Sequence, residues 1–301
     1  MFNNILIVGC GLIGSSILRA SINKKISKNF YIYEKSKKNV SFIKKIDKRI
    51  RILNKIDHKV SKMDLIVLST HMNQYNNIIK KLDRYISSKN LITETGSTKR
   101  NIESLINKNK KLKKIFVPSH PIAGSEVSGP EFGNKDLFKG KWCIILKNNN
   151  NSEKNLKKID KFWKKLGSKI IFMKSFDHDK IFSMTSHLPH LISYNLIKTA
   201  IDFQKENKKN IIKYSAGGLR DFSRTAASNE IMWRDIFFSN KDNVINSINI
   251  FIKNLNNFKK LIKNKNNKDI LQILKNSKKI RKQIVDLKQD VSKPNFGRDV
   301  L

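Results

Sequence analysis

The chain has 301 residues, which is long enough for two domains with a hydrophobic core each. Its 62 lysine and arginine residues outnumber 24 aspartate and glutamate residues, and the formal net charge is +38. The basic residues are spread over nearly every predicted helix, whereas proteins that bind nucleic acids cluster them on one face. We therefore interpret the charge as a compositional bias of the source genome and predict no nucleic-acid partner. The positive field would still attract anions such as dinucleotides and dicarboxylates.

The cysteine and histidine spacing and the hydropathy exclude several classes of protein. Cys10 and Cys143 match neither a disulfide framework nor a metal site. The spacing of His120, His178 and His187 also fits no usual metal site, so we predict no metal. No stretch reaches the ~20 apolar residues of a membrane span, and the apolar N-terminal segment lacks the basic start of a signal peptide. We expect a soluble, cytoplasmic protein without a membrane partner.

A glycine-rich motif follows the first predicted strand. Residues 4–8 form a short apolar run, and three glycines follow it with the spacing G-x-G-x-x-G. The first glycine allows a tight turn, the second lets a pyrophosphate approach the backbone, and the third lets helix and strand pack closely. The helix that begins there would offer free N–H groups to phosphates. We therefore predict a dinucleotide-binding loop formed by Gly9, Gly11, Leu12, Ile13 and Gly14.

The end of the second predicted strand carries the residue that selects the cofactor. Residues 30–33 are interpreted as this strand, and Glu34 follows it, 20 residues beyond Gly14. A Rossmann fold places at this position the carboxylate that binds the ribose hydroxyls. Because a carboxylate would repel the 2′-phosphate of NADP, Glu34 favours NAD. Lys35, Lys37 and Lys38 would favour NADP, but lysine is too frequent in this chain for them to be informative.

Further apolar runs predict a sheet whose strands end at a common edge. They are residues 64–70, 90–94, 115–117, 141–146 and 169–173. Strands that alternate with helices indicate a parallel sheet with helices on both faces, and ligands bind beyond the carboxyl ends of such strands. Ser69, Thr70, Ser97 and His120 all lie there. We assign Ser69 and Thr70 to the cofactor site.

The segment of residues 118–131 presents two candidate functional side chains. Its prolines, glycines and serines predict an irregular loop rather than helix or strand. The loop carries His120 and Glu126, and catalytic groups often lie on loops that a rigid scaffold holds in place. An ordinary turn with a surface histidine is the alternative.

The fold class that follows is α/β and then all-α. Residues 1–174 are predicted to form a Rossmann-type domain with a doubly wound, mostly parallel sheet, and residues 175–301 an all-helical domain that begins with Ser175 as N-cap. Two long amphipathic helices separated by a turn at residues 263–268 close the chain. Their apolar stripes suit a subunit interface as well as a core.

Two sets of polar residues are candidates for substrate binding in the helical half. Four of them recur at intervals of three or four along its first helix: Ser183, Ser186, His190 and Ser193. A polar stripe on an apolar helix requires partners or a wet cavity, but a serine-lined helix contact around one buried histidine is the alternative. Asp221 and Arg224 are three residues apart and would lie on one helix face, either at a site or as a surface ion pair.

Four stretches resemble one known family in the same order along the chain. Ser119–Glu126, with the sequence SHPIAGSE, is similar to the active-site loop of the prephenate/arogenate (cyclohexadienyl) dehydrogenases, the oxidative enzymes of tyrosine biosynthesis. The other three are Gly96–Lys99, Ser186–His190, and Gly217–Arg224 followed by Met232–Asp235. One such motif alone does not identify the family, but four motifs in the same order along the chain do so with high specificity. The resemblance extends from about residue 5 to about residue 240.

The resemblance implies a reaction and a set of roles. In this family a hydride passes from C4 of prephenate to NAD, the C4 hydroxyl loses its proton, carbon dioxide leaves and the ring becomes aromatic, which gives 4-hydroxyphenylpyruvate. The implied catalytic residues are His120 as the base, Ser97, which shares the hydroxyl, and His190. The implied substrate-binding residues are Ser97, His120, Glu126, Ser186, His190, Asp221 and Arg224. The resemblance also implies a homodimer formed through the helical half.

Alternatives to prephenate dehydrogenase remain open in the sequence. Thr225 after Arg224 is neutral and favours prephenate, whereas Glu126 would accept the ammonium group of arogenate, so an arogenate or dual-specificity enzyme is an alternative. Another two-domain hydroxy-acid dehydrogenase would explain the glycine loop but not the other motifs. A basic nucleic-acid-binding protein with a relic Rossmann domain would not require the intact glycines and Glu34.

Overall fold

The fold is given by a computed structural model, which describes residues 1–124, 127–147 and 151–287. The N-terminal elements are β1 (Phe2–Val8), α1 (Leu12–Asn23), β2 (Ser27–Tyr33), α2 (Lys37–Lys44), β3 (Ile50–Ile52), β4 (Leu65–Leu68), α3 (Tyr75–Asp83), β5 (Leu91–Glu94), α4 (Arg100–Asn107), α5 (Lys110–Ile115), β6 (Ser119–Pro121), β7 (Trp142–Leu146), α6 (Glu153–Lys165) and β8 (Lys169–Met173). The C-terminal elements are α7 (Ser175–Phe182), α8 (Leu188–Asn207), α9 (Gly217–Ala226), α10 (Glu230–Ser239), α11 (Lys241–Lys263) and α12 (Asn267–Asp286).

The main sheet has five parallel strands in the order β3-β2-β1-β4-β5. Val8 pairs with Tyr33 on one side and Leu68 on the other, and Leu68 pairs with Glu94. The last residues of four strands therefore lie side by side. This register confirms that the segments after these strands meet at one edge. Strand β3 was missed by the sequence analysis because it has only three residues.

The sheet is buried on both faces. Ile5 and Ile7 of β1 pack on one side in a cluster that includes residues of α1 and α6, while Leu6 and Val8 pack on the other side with residues of α3, α4 and α5. Successive side chains of a strand point to opposite faces, so a continuous apolar run packs against the helices on both faces of the sheet. The predicted doubly wound architecture is confirmed.

A second sheet corrects the sequence analysis around residues 115–121. Ile115 ends α5, and Phe116 makes only a single bridge to Ile92, so the strand predicted at residues 115–117 is wrong. Strand β6 lies instead inside the predicted irregular loop and pairs antiparallel with β7, which pairs parallel with β8. Strands β7 and β8, which were predicted as part of the main sheet, therefore belong to this second sheet. Pro121 is tolerated because β6 is an edge strand of this sheet. His120 therefore lies on a short strand.

The described part of the C-terminal half, residues 175–287, is helical, as predicted. Its first helix is not capped by Ser175, because α7 begins at Ser175 itself and the Ser175 hydroxyl bonds to Glu103 of α4. A π-helical turn, Ser183–His187, joins α7 to α8. Helix α11 ends at Lys263 and α12 begins at Asn267, which confirms the predicted turn. Within the described ranges, every helix is too short or too polar to cross a membrane.

Candidate active site

The glycine loop has the shape that a dinucleotide requires. Gly9 has φ +84°, and a Cβ there would collide with Thr70 and with the Ser69 carbonyl, 2.7 Å away. A Cβ at Gly14 would collide with the Gly9 carbonyl, whereas one at Gly11 would meet nothing within 4 Å. The first and third glycines are thus required by packing, and the second faces open space. Helix α1 has no side-chain cap, so its first N–H groups remain available to a pyrophosphate.

Glu34 lies directly against this loop. Its carboxylate accepts a hydrogen bond from the Cys10 amide at 2.8 Å and another from the Ser36 amide at 2.9 Å. These two bonds hold the carboxylate beside the glycines, although its surface is only half-buried. Such a carboxylate can accept hydrogen bonds from the two ribose hydroxyls of a dinucleotide. The residues present therefore fit NAD.

The turn that carries Ser97 is fixed by a buried ion pair. Lys99 and Glu94 form a salt bridge with no exposed side-chain surface, and Glu94 also accepts a hydrogen bond from the Gly96 amide at 2.6 Å. The Lys99 ammonium donates to the Ser119 carbonyl at 2.7 Å. This pair joins the Ser97 turn to the strand that carries His120. Neither charged residue was predicted as a site residue, although two opposite charges five residues apart around a glycine were a visible signal.

His120 is the first member of a hydrogen-bonded chain of three side chains. Its Nδ1 lies 2.8 Å from Nε2 of His178, and Nδ1 of His178 lies 2.8 Å from Oδ1 of Asp179. Burial lowers the pKa of His120 well below its ordinary value of 6.5, and the nearby His178 and Lys99 lower it further. The imidazole is therefore neutral at neutral pH and can accept a proton.

Asp179 connects the two halves of the molecule. Its carboxylate accepts hydrogen bonds from the amides of Lys99 at 2.8 Å and Arg100 at 2.9 Å, which are the free N–H groups at the start of α4. His178 and Asp179 have no exposed surface. The sequence analysis did not assign them to the site, because only the packing of α7 against α4 brings them to His120.

His190 lies in the first turn of α8, and Ser186 lies in the π-helical turn before it. Nδ1 of His190 bonds to the Ser186 carbonyl at 2.9 Å, and its ring stacks on Trp233 at a centroid distance of 3.7 Å. Burial lowers the pKa of His190, and the positive charge of Arg224 lowers it further. An imidazole and a guanidinium that interact electrostatically are a combination suited to binding a carboxylate.

The other residues of the predicted polar stripe serve helix contacts. The Ser183 hydroxyl bonds to Ser247 of α11 at 3.0 Å, and the Ser193 hydroxyl bonds to the Phe222 carbonyl of α9. For these two serines, the alternative interpretation as a serine-lined helix contact is therefore correct. Asp221 lies with Arg224 on exposed positions of α9, and Glu126 lies outside the described residues.

Comparisons with known proteins all match this chain to one enzyme family. Residues 20–172 match the family model of the prephenate dehydrogenase nucleotide-binding domain, and residues 174–276 match that of the prephenate dehydrogenase dimerization domain. A cyclohexadienyl dehydrogenase of Zymomonas mobilis is 30% identical over 96% of this chain and 98% of its own length. A prephenate dehydrogenase of Lactococcus lactis is 28% identical over 97% of this chain and 80% of its own length.

A solved structure is similar over nearly the whole chain. The prephenate dehydrogenase from Aquifex aeolicus in complex with hydroxyphenyl propionate and NAD+ has a TM-score of 0.88 and 33% identity, and the match covers 94% of this chain and 99% of that one. The glycine loop and Glu34 of this chain fit the same class of cofactor. The chain therefore belongs to the prephenate dehydrogenase family, the NAD-dependent oxidoreductases of tyrosine biosynthesis.

Proposed function

We propose that His120 is the general base in the oxidative decarboxylation of prephenate to 4-hydroxyphenylpyruvate by this chain. The observation that carries this proposal is the contact of His120 Nδ1 with buried His178, which leaves only Nε2 for a substrate. Burial also lowers the pKa of His120, which favours the neutral ring that a base requires. Bound NAD would supply the hydride acceptor for C4 of the ring. Nε2 of His120 takes the proton of the C4 hydroxyl as the carbonyl forms, and Ser97 shares that hydroxyl. The new carbonyl is conjugated to the carbon that bears the ring carboxylate, so carbon dioxide leaves and the ring becomes aromatic.

The substrate carboxylates are assigned to the helical half. Arg224 binds one of them, and Ser186 and His190 assist it. The effect of Arg224 on the pKa of His190 supports this grouping, because the guanidinium charge acts on the imidazole. Asp221 and Glu126 either hold the substrate-binding side chains in position or control access to them. A group of donors fixed around a dianionic substrate positions its C4 hydroxyl for proton transfer.

Prephenate is the substrate that we favour over arogenate. Arogenate carries an ammonium group in place of the side-chain ketone, and a carboxylate at the position after Arg224 would bind it. The residue after Arg224 is the neutral Thr225. A dual-specificity enzyme is the second candidate, since one curated relative bears the name cyclohexadienyl dehydrogenase.

The oligomer and the compartment are also part of the proposal. We propose a homodimer that forms through the helical domain, residues 175–301, with residues 1–174 as the NAD-binding domain. The end of β8 at Met173 and the start of α7 at Ser175 support the boundary. Free, buried Cys10 and Cys143 support a reducing cytoplasm.

One assay tests the substrate and the cofactor together. NADH or NADPH formation is followed at 340 nm with prephenate and arogenate, each with NAD and NADP. We expect the highest kcat/KM for prephenate with NAD. A higher kcat/KM for arogenate would overturn the substrate proposal, and comparable values for both would establish the dual-specificity alternative.

A further inference from the structure

We propose that His178 and Asp179 are positioning residues, which hold His120 in the tautomer whose Nε2 carries no proton. The inference rests on the proposed role of His120 as the base. Only an unprotonated Nε2 can accept the proton of the substrate hydroxyl while Nδ1 faces the protein. The chain of contacts from Asp179 through His178 to His120 determines the location of each hydrogen.

The first contact places a proton on Nδ1 of His178. The Asp179 carboxylate accepts backbone hydrogen bonds on both oxygens, from Lys99 on Oδ1 and from Arg100 on Oδ2. A carboxylate in that role has no hydrogen to donate. The 2.8 Å contact between Oδ1 and His178 therefore requires an N–H at Nδ1 of His178.

The second contact, between His178 and His120, determines which nitrogen of His120 carries the proton. Burial lowers the pKa of His178, so its ring is neutral and Nε2 carries a lone pair. Nδ1 of His120 lies 2.8 Å from this nitrogen and must donate to it, because the opposite tautomer would bring two lone pairs together at that distance. The proton of the neutral His120 ring is then on Nδ1, and Nε2 is the bare nitrogen.

The surrounding rings hold this geometry. Phe182 stacks on His178 at a centroid distance of 4.5 Å and an interplanar angle of 27°, and it contacts the His120 ring at 5.0 Å. His178 and Asp179 are fully buried, whereas His120 is half-buried. His178 and Asp179 therefore act on a substrate only through His120.

The direct test is the protonation pattern of the histidine rings in the intact protein. Long-range 1H–15N correlation spectra of protein labelled with [15N]histidine separate the two tautomers, and His120→Asn assigns the His120 signals. In the wild type we expect His120 with a protonated Nδ1 and an unprotonated Nε2. In His178→Leu, which removes the acceptor, we expect signals of both tautomers. In His178→Gln, whose side-chain oxygen still accepts, we expect the original tautomer.

Kinetics add a readout that a merely structural role would not give. His178→Leu should lower kcat by about 10- to 100-fold, since part of the His120 population is in the unproductive tautomer. The KM for NAD should stay within about twofold, and His178→Gln should recover most of kcat. A matched His58→Gln variant, at an exposed position, should resemble the wild type.

The outcomes separate the inference from the proposal on which it rests. A wild-type His120 protonated on Nε2, or an unchanged single tautomer in His178→Leu, would overturn the inference, and the wild-type spectrum decides this even where a variant does not fold. A His120→Asn enzyme with normal turnover would instead overturn the role of His120 as the base. The spectra would then still report correctly on the tautomer.

Discussion

The protonation state of His120 determines the acid limit of the reaction. Burial lowers its pKa well below 6.5, and a general base must be unprotonated. We therefore expect kcat to stay level as the pH falls from neutrality past 6.5, and to decrease only at lower pH, where His120 becomes protonated. His120→Asn should lower kcat by ~10²–10⁴-fold and remove the pH-dependent decrease. Measured pH profiles of kcat test this.

The control for this prediction is another histidine. His58→Asn changes an exposed histidine in the segment between β3 and β4 and should leave both kcat and its pH profile unchanged. A wild-type profile whose acid limb is centred at or above pH 6.5 would contradict the effect of burial on His120.

Arg224 should contribute to substrate binding rather than to turnover. A guanidinium that pairs with a substrate carboxylate equally in the ground and transition states affects KM and not kcat. We expect Arg224→Ala to raise the KM for prephenate by about 30-fold or more, which corresponds to ~2 kcal/mol. Arg224→Lys should recover only part of this loss, because lysine cannot form the bidentate contact.

Helix α9 offers a matched control one turn away. Arg220 is exposed and has the same charge, and its Nε lies 4.0 Å from Asp221. Arg220→Ala removes one positive charge from the same helix and should change KM by less than about threefold, as for an exposed ion pair. If both substitutions raised the KM for prephenate equally, the weaker binding would result from the lower net charge of the helix and not from a specific contact of Arg224.

At the level of elements, the π-helical turn Ser183–His187 buries a histidine that should make the fold acid-sensitive. Burial lowers the pKa of His187 to about 4 from an ordinary value of 6.5. Between these two values the unfolded chain binds a proton and the folded chain does not, so stability is complete above pH 6.5 and is lost as the pH falls toward 4. The loss from this residue amounts to at most ~3 kcal/mol.

Thermal unfolding between pH 7 and pH 4 measures this loss. We expect Tm of the wild type to decrease over this range and Tm of His187→Gln to decrease less, because glutamine does not titrate. The decrease should not vanish, since burial also lowers the pKa of His120, His178 and His190. The exposed His58→Gln should follow the wild type. The same decrease in His187→Gln as in the wild type would contradict the prediction.

The elements also mark the limit of what local sequence patterns predict. Strands β1, β2, β4 and β5 and the glycine loop were predictable, because their apolar runs and glycine spacing are local signals. The region around β6 was not, because Phe116 and Val117 have the composition of a strand but pair with the main sheet only at Ile92. The bond between His120 and His178 joins residues 58 positions apart, and no periodicity encodes such a contact.

At the scale of the whole molecule, the last two helices expose several large apolar side chains. Helices α11 and α12 expose Leu255 at 57%, Ile262 at 58% and Leu274 at 52% in the single chain, and α12 has no buried residue. Contiguous apolar patches of this kind mark interaction sites. The match of residues 174–276 to a dimerization domain agrees with this interpretation.

Charges placed on this surface should separate the proposed dimer. We expect the double variant Ile252→Asp/Leu255→Asp to have the mass of one chain by light scattering, and the wild type that of two. Lys253→Asp introduces an aspartate on the same turn of α11 at another exposed position and should remain dimeric. A double variant that keeps the mass of the wild type would place the interface elsewhere.

The contact of the Asp179 carboxylate with two backbone amides can be followed by hydrogen exchange. The carboxylate belongs to the helical half, yet it covers the amides of Lys99 and Arg100 at the start of α4 in the other half. These two amide hydrogens can exchange with solvent deuterium only when that contact breaks. Their exchange rates therefore measure how often this contact between the two halves breaks, and ligands that bind both halves should slow the exchange.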